Sequence, residues 1–168
     1  MLDTLRKLVE AWGPSGSEGP VREIILREIA GLADEVQVDP LGNVIAWRRS
    51  CRPGAPKVML DAHMDEIGVM VSHVDDKGFL RFTNIGGVYP LNAVGNRVRF
   101  EDGTIGVIAV EKRDNATAIP TLAQLYIDVS TNGKGTHGIR VGDSACFDRT
   151  LVVNGDHLVA KSMDDRAG

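Results

Sequence analysis

Residues 57–65 read Lys-Val-Met-Leu-Asp-Ala-His-Met-Asp, and the predicted α/β fold is built around this stretch. It is a short apolar run that follows a polar, proline- and glycine-containing turn, which predicts a strand buried on both faces of a sheet. Residues two apart on a strand point to the same side, so we expect His63 and Asp65 to face one way. They lie at the carboxyl end of the strand, where open α/β sheets carry their active sites.

The His-x-Asp pair has two interpretations. A histidine that binds a metal usually has a carboxylate or carbonyl on its other ring nitrogen, which fixes its tautomer. His63 could therefore be a metal ligand, with Asp65 as its acidic partner. The alternative is that both side chains only make local hydrogen bonds at the end of a strand.

The segments around this strand complete an α/β arrangement. Apolar residues recur at helical spacing over residues 2–9 and 21–29. Residues 36–47 form two β-like runs around a turn at 40–43, which predicts a β-hairpin. Two helices, strands and a buried central strand predict the α/β fold class.

The pattern of apolar and turn residues changes after the glycine pair at 86–87. Short β-like runs alternate with turns, among them Glu101-Asp-Gly103 and Val153-Asn-Gly155, which are good hairpin turns. This predicts a small all-β barrel or sandwich inserted into the α/β layer. A further strand pair over 67–82 is assigned to the α/β part. The predicted boundaries are 1–87 for the first part of the α/β domain, 88–158 for the all-β insertion and 159–168 for a truncated return to the α/β domain.

A second group of charged residues, Asp164-Asp165-Arg166, follows the last β-like run. A single carboxylate can bridge two divalent ions, which in such sites lie about 3.5–4 Å apart. Two ions so placed can polarise a carbonyl and generate hydroxide at neutral pH. The alternative is that these adjacent Asp and Arg residues form a surface turn or a local ion pair.

Composition excludes several classes of protein. The net charge of −4 offers no basic surface, so we expect no nucleic-acid partner. No apolar run approaches the roughly 20 residues of a membrane span, and the first residues lack the apolar core of a signal peptide. Cys51 and Cys146 are too few and too far apart for a disulfide framework or a cysteine zinc site. The expected compartment is the cytoplasm.

Taken together and in order, six segments carry a resemblance that spans the chain. They are residues 13–18, 39–46, 61–68, 85–87 with 94–98, 126–129 with 142–143, and 161–168. In this arrangement the chain resembles the N-terminal half of the glutamyl/deblocking aminopeptidases, cytoplasmic metallopeptidases with two metal ions that assemble into tetrahedral dodecamers. The resemblance implies a partial aminopeptidase-type α/β/α layer, with the all-β insertion as an oligomerisation domain.

The resemblance also implies roles for three residues. His63 would be a terminal ligand of one metal, Asp164 the bridging carboxylate, and Asp65 the catalytic-site acid that supports His63. The complete enzyme would hold two divalent ions, Zn²⁺ or Co²⁺. In the family a later part of the chain supplies a Glu-Glu pair, a further acidic ligand and a final histidine, so we expect the two ligands of this chain to bind metal weakly or not at all.

Three functions follow from these expectations. The first is a metal-dependent aminopeptidase acting on the N-terminal residues of peptides, in which this chain by itself is an incomplete and inactive portion. The second is a non-catalytic remnant that self-associates through its β domain, which like the first implies a homo-oligomer. The third is a metal-dependent hydrolase of another substrate such as a glycan, which nothing in the sequence favours.

Overall fold

The computed structural model describes residues 1–115, 117–129 and 135–168. Two compact units divide the chain. The first unit consists of Met1–Asp65 and Leu151–Gly168, and the second of Glu66–Thr150. The first unit is therefore discontinuous in sequence, with the whole second unit inserted into it.

The first unit opens with the two helices that the sequence predicts. Helix α1 spans Leu2–Glu10 and helix α2 spans Gly19–Glu28, with a proline in its first turn. Val9 on α1 and Val21 on α2 are fully buried. On the solvent side Glu28 accepts a hydrogen bond from Lys7 Nζ at 2.7 Å. Each helix thus buries one apolar residue of its periodic set, while Leu2 at the start of α1 is 43% exposed.

A β-hairpin follows, made of β1 (Glu35–Val38) and β2 (Val44–Trp47). Its turn is built by Asp39, whose Oδ1 accepts the backbone N–H groups of Leu41 and Asn43, each at 2.9 Å. The side-chain amide of Asn43 donates to the other oxygen, and this bond is the main reason why the pKa of Asp39 is lowered. Gly42 supplies the positive φ of 93° that the turn requires.

The second unit contains a closed barrel of six antiparallel strands. Its interior is filled by alternate residues of the strands, among them the fully buried Leu80, Ile108 and Ile127. Gly68 at its start pairs with Cys146 near its end, so the chain enters and leaves the barrel side by side. The elements are β3 (Gly68–Val74), β4 (Leu80–Ile85), α3 (Pro90–Ala93), β5 (Arg97–Phe100), β6 (Ile105–Val110), a 3₁₀ turn (Leu122–Gln124), β7 (Leu125–Asp128) and β8 (Ser144–Phe147). The strands follow one another around the barrel in the order β3-β4-β7-β6-β5-β8.

The chain then returns to the first unit. A second hairpin joins β9 (Val152–Asn154) to β10 (His157–Val159), and both strands are exposed. The last element is α4 (Met163–Arg166), a short kinked turn that is not helical at Asp164 and Asp165 and has a cis peptide bond between them. No helix of the described ranges has the length and apolarity needed to cross a membrane.

The prediction of a buried central strand at residues 57–63 is wrong. Residues 57–63, all of them described, form no hydrogen-bonded strand, and Val58, Met59 and Leu60 are 80%, 85% and 92% exposed. A strand buried on both faces needs a neighbour along each edge and a layer on each face. The part of the chain that the structure describes pairs no segment with residues 57–63. Their apolar side chains therefore remain in solvent.

The barrel also covers a different range from the predicted all-β insertion at 88–158. It takes in the strand pair β3 and β4, which the sequence analysis assigned to the α/β part, and leaves out β9 and β10. Alternation of apolar and polar residues predicts a half-buried strand, but it does not say to which sheet the strand belongs. The assignment of the units to catalysis and to oligomerisation stays a prediction.

Candidate metal centre

The structure brings together the two predicted metal ligands, which come from the two separate sequence segments of the first unit. Nε2 of His63 lies 3.1 Å from Oδ1 of Asp164, across 101 positions of sequence. Both side chains are open to solvent, with 52% of His63 and 97% of Asp164 exposed. His63 belongs to the segment that precedes the barrel and Asp164 to α4 after it. The return of the chain to the first unit therefore creates this pair.

The third predicted residue, Asp65, lies on the other ring nitrogen of the same histidine. Nδ1 of His63 is 2.9 Å from Oδ1 of Asp65 and 3.2 Å from the backbone oxygen of Asp65. Both of these atoms are acceptors, so Nδ1 must carry a hydrogen and donate it. This is the arrangement in which a carboxylate fixes the tautomer of a metal-binding imidazole and leaves Nε2 for the metal.

When His63 is neutral, its Nε2 atom has no hydrogen to donate to Asp164. A neutral imidazole has one N–H, which Asp65 takes at Nδ1, so the lone pair of Nε2 then faces the carboxylate of Asp164. Two acceptors that face each other need a proton or a metal cation between them. Partial burial by itself lowers the pKa of His63, but the hydrogen bond to Asp164 and the charge of Asp65 outweigh it and raise the pKa.

Replacing Asp164 by asparagine is expected to lower the pKa of His63, because the amide stabilises an imidazolium less than the carboxylate does. A raised folded-state pKa gives stability that is fully present below the unfolded pKa of histidine and is lost as pH rises through the folded pKa. The variant should lose this contribution over the same window. NMR titration of the imidazole Cε1–H of His63 measures the shift. Asp165→Asn, in the adjacent residue, is the matched control, and an equal shift in both variants would contradict the pairing.

Asp65 is itself held by a residue that the sequence analysis did not single out for a role. The hydroxyl of Ser15 donates a short hydrogen bond to Oδ2 of Asp65. This bond is the largest influence on the pKa of Asp65 and lowers it, against partial burial, which raises it. The charge of His63 lowers it further. Asp65 therefore stays a carboxylate with both oxygens engaged.

Arg166 is a second residue whose importance the sequence did not reveal. Its side chain is buried, and its guanidinium donates to the carbonyl oxygen of Met64 at 2.6 Å, between His63 and Asp65. It also donates to the last carbonyl groups of α1 and to the loop after it, at Leu8 (3.0 Å), Ala11 (2.8 Å) and Gly13 (3.0 Å). The planar fork of arginine suits several carbonyls at once. Its only signal in the sequence was membership of the Asp-Asp-Arg group.

Gly13 shows how closely this arginine is packed. A Cβ atom added at Gly13 would lie 3.0 Å from Nη2 of Arg166 and 2.7 Å from Cγ2 of Val21. Such distances are too short for a side chain, so glycine allows the loop to approach the guanidinium. The loop between α1 and α2, the segment around Met64 and α4 are thus joined through one buried side chain.

These residues fit part of a metal site. Ligand atoms that each lie about 2.0–2.1 Å from a zinc ion are roughly 3.3 Å apart at tetrahedral angles. The 3.1 Å between His63 Nε2 and Asp164 Oδ1 suits two such ligands, and imidazole and carboxylate both bind zinc. Within the described ranges, however, no group of three or more His, Cys, Asp or Glu side chains is placed to hold an ion. The donor set is therefore partial.

The sequence and the fold both match known aminopeptidases. The sequence model of the M42 glutamyl aminopeptidase family matches residues 42–168, and the chain belongs to this family. A putative aminopeptidase of Acetivibrio thermocellus is 40% identical over 170 residues, which cover 100% of this chain and 51% of that protein. The family is in general metal-dependent.

Two solved structures agree with that assignment. An aminopeptidase from the archaeon Desulfurococcus kamchatkensis has a TM-score of 0.88 and 38% identity, over 99% of this chain and 48% of its own. The TET1 peptidase of Pyrococcus horikoshii, described as assembling into a tetrahedron or a large octahedral shell, has a TM-score of 0.82 and 29% identity, over 98% and 52%. The predicted family and fold class are confirmed. The chain spans about half the length of the relatives it matches.

Proposed function

We propose that this chain is the part of a metal-dependent aminopeptidase that contributes His63 and Asp164 as ligands and Asp65 as the acid that supports His63. The observation that carries the proposal is the 3.1 Å approach of His63 Nε2 to Asp164 Oδ1, with Asp65 on Nδ1. With the imidazole neutral, Nε2 and Oδ1 are both acceptors, and they need a proton or a cation between them. A shared cation meets that need.

Each residue has a distinct task in this proposal. His63 binds through Nε2, while Asp65 keeps the hydrogen on Nδ1 and so keeps that lone pair available. Asp164 presents Oδ1 at the same place, and its nearly complete exposure leaves Oδ2 accessible to a second ion. When bound, two divalent ions such as Zn²⁺ or Co²⁺ supply Lewis acidity towards a peptide carbonyl and towards water.

The proposal also requires groups that the described residues do not supply. Zinc sites generally have three or four protein ligands, and here His63 and Asp164 are two. We propose that further ligands and the general base come from a segment equivalent to the part of the relatives that this chain does not match. On this proposal the enzyme takes short peptides by their N-terminal residue, in the cytoplasm and as a homo-oligomer like TET1.

A second candidate is a non-catalytic remnant that self-associates through its barrel. The observation that favours it is on the outside of strand β6, where Ile105 and Val107 lie two positions apart on one face and are 41% and 43% exposed. Apolar side chains on an outer face favour contacts with a partner. This candidate needs no complete metal site.

An assay with two proteins separates the candidates. The chain alone, and the chain fused through Gly168 to the unmatched part of the Acetivibrio thermocellus relative, are each given Co²⁺ or Zn²⁺ and aminoacyl p-nitroanilides. We expect turnover in the fusion and none in the chain alone, because the ligand set is partial. A folded, metal-loaded fusion without turnover would contradict the aminopeptidase proposal. Turnover by the chain alone would refute the argument from missing ligands.

A further inference from the structure

Ser15 and His63 hold the two oxygens of one carboxylate. The hydroxyl of Ser15 donates to Oδ2 of Asp65, which lies 50 positions further along the chain. The other oxygen, Oδ1, is 2.9 Å from Nδ1 of His63. A continuous series of contacts therefore runs from the loop after α1 through Asp65 and His63 to Asp164.

The position of Ser15 is itself fixed by its neighbours. Pro14 is fully buried, and its carbonyl accepts the backbone N–H of Ser17 at 2.8 Å, which closes a tight turn around Ser15. The carbonyl of Gly13 is held by the buried guanidinium of Arg166 at 3.0 Å. The backbone on both sides of Ser15 is thus anchored, so its hydroxyl is presented to Asp65 from a fixed point.

One hydrogen bond alone does not define the orientation of a carboxylate. The terminal torsion of aspartate is broad and roughly two-fold, so a single partner leaves the group free to rock about that contact. A second partner on the opposite oxygen removes this freedom, and hydrogen bonds to a charged carboxylate are among the stronger ones. Ser15 is placed to be that second partner.

We propose that Ser15 is a positioning residue for His63, which acts by fixing the Asp65 carboxylate and through it the tautomer of the imidazole. Without the hydroxyl, Oδ1 of Asp65 turns away from Nδ1 for part of the time, and the backbone oxygen of Asp65, at 3.2 Å, is then the acceptor that remains for the hydrogen on Nδ1. The hydrogen of the neutral ring then moves in part to Nε2, where it removes the lone pair that faces Asp164. The inference rests on the proposed role of His63 as a metal ligand, but its first consequence appears in the chain without metal.

The test is the ring-nitrogen spectrum of His63 in the metal-free chain. Nitrogen-15 NMR at alkaline pH, where the imidazole is neutral, separates the Nδ1–H from the Nε2–H form. Ser15→Ala should reduce the fraction of the Nδ1–H form, and Ser15→Thr, which keeps the hydroxyl, should restore it. Ser17→Ala is the matched control in the same turn, because its bond to Pro14 is made by the backbone. Asp65→Ala sets the full size of the effect.

Several results would overturn the inference. A Ser15→Ala spectrum equal to that of the parent chain, while Asp65→Ala differs, removes the role of the hydroxyl. Equal changes in Ser15→Ala and Ser15→Thr would assign the effect to the loop and not to the hydroxyl. An Asp65→Ala spectrum without change would break the link at Asp65. None of these readings depends on turnover, so failure of the aminopeptidase assay is a separate result.

A second measurement carries the inference to the loaded site. In the fusion protein, loss of a carboxylate that supports a ligating histidine is expected to weaken Co²⁺ binding by about 10–100-fold, as for Asp65→Ala. Ser15→Ala should weaken it by a smaller factor, since Asp65 remains, and Ser15→Thr should recover it. Titration of the Co²⁺ absorption measures all three. Unchanged affinity in Ser15→Ala would contradict the proposal.

Discussion

Replacing Arg166 by methionine is expected to lower the free energy of unfolding of the first unit by about 2–5 kcal/mol. Methionine keeps part of the apolar volume but none of the donors. The carbonyl groups of Met64, Leu8 and Gly13 would each lose this donor in a partly or fully buried place. The carbonyl of Ala11 would lose it too but keep Lys161 Nζ at 3.2 Å. An unsatisfied buried acceptor costs about 1–3 kcal/mol, and entry of water recovers part of the sum. Urea unfolding followed by the fluorescence of the buried Trp12 measures the loss.

The control for this prediction is an arginine that also bonds a carbonyl but lies at the surface. Arg48 donates to the carbonyl of Leu32 at 2.8 Å from an exposed position, and Arg48→Met should change the unfolding free energy by less than about 0.5 kcal/mol. Arg166→Lys should destabilise the unit almost as much as Arg166→Met does, because one ammonium group cannot reach all the carbonyls that the planar guanidinium binds. Equal effects of Arg166→Met and Arg48→Met would show that burial of Arg166 contributes little.

Replacing His63 by alanine in the fusion protein is expected to abolish metal-dependent turnover and to reduce the bound metal. Loss of a supporting residue such as Asp65 should lower metal affinity by about 10–100-fold, and loss of the ligand atom itself should exceed that. Asp164→Ala should act in the same way, because it removes the oxygen 3.1 Å from His63 Nε2. Metal content and kcat/KM for an aminoacyl p-nitroanilide, measured on the same samples, test the prediction.

His157→Ala is the matched control for the ligand variants. His157 opens the exposed strand β10 in the same unit and belongs to none of the matched motifs. We expect its removal to leave metal content and kcat/KM unchanged. If His63→Ala kept its metal and its turnover, the assignment of His63 as a ligand would be wrong, whatever the result for Asp164.

Local rules account for the parts of the fold that the sequence predicted. The apolar spacing of α1 and α2 gave helices with Val9 and Val21 buried, and the Asp39 turn gave the first hairpin. The hairpin turn at 101–103 likewise lies between β5 and β6. In each case the residues that decide the conformation are neighbours in sequence, so a pattern of a few positions was sufficient.

The failures have the opposite character. The apolar run at 57–63 predicted a buried strand, but burial depends on neighbours that the run cannot specify, and the described residues supply none. Arg166 and Ser15 act through contacts that span 102 and 50 positions, with Met64 and Asp65. An arginine after two aspartates predicts a local ion pair as readily as a buried guanidinium that binds several carbonyl groups. Contacts of this range were foreseen only for His63 and Asp164, where the resemblance to the aminopeptidase family implied a shared site.

Because the two ends of the barrel are adjacent, folding of the barrel assists folding of the first unit during synthesis. Chains emerge from the ribosome N-terminus first, so residues 66–150 can close into a barrel before the last residues are free. Its closure pairs Gly68 with Cys146 and converts a connection of more than 80 residues into a short one. Barrel closure thereby lowers the entropic cost of bringing His63 and Asp164 together, because the loop between them is already short.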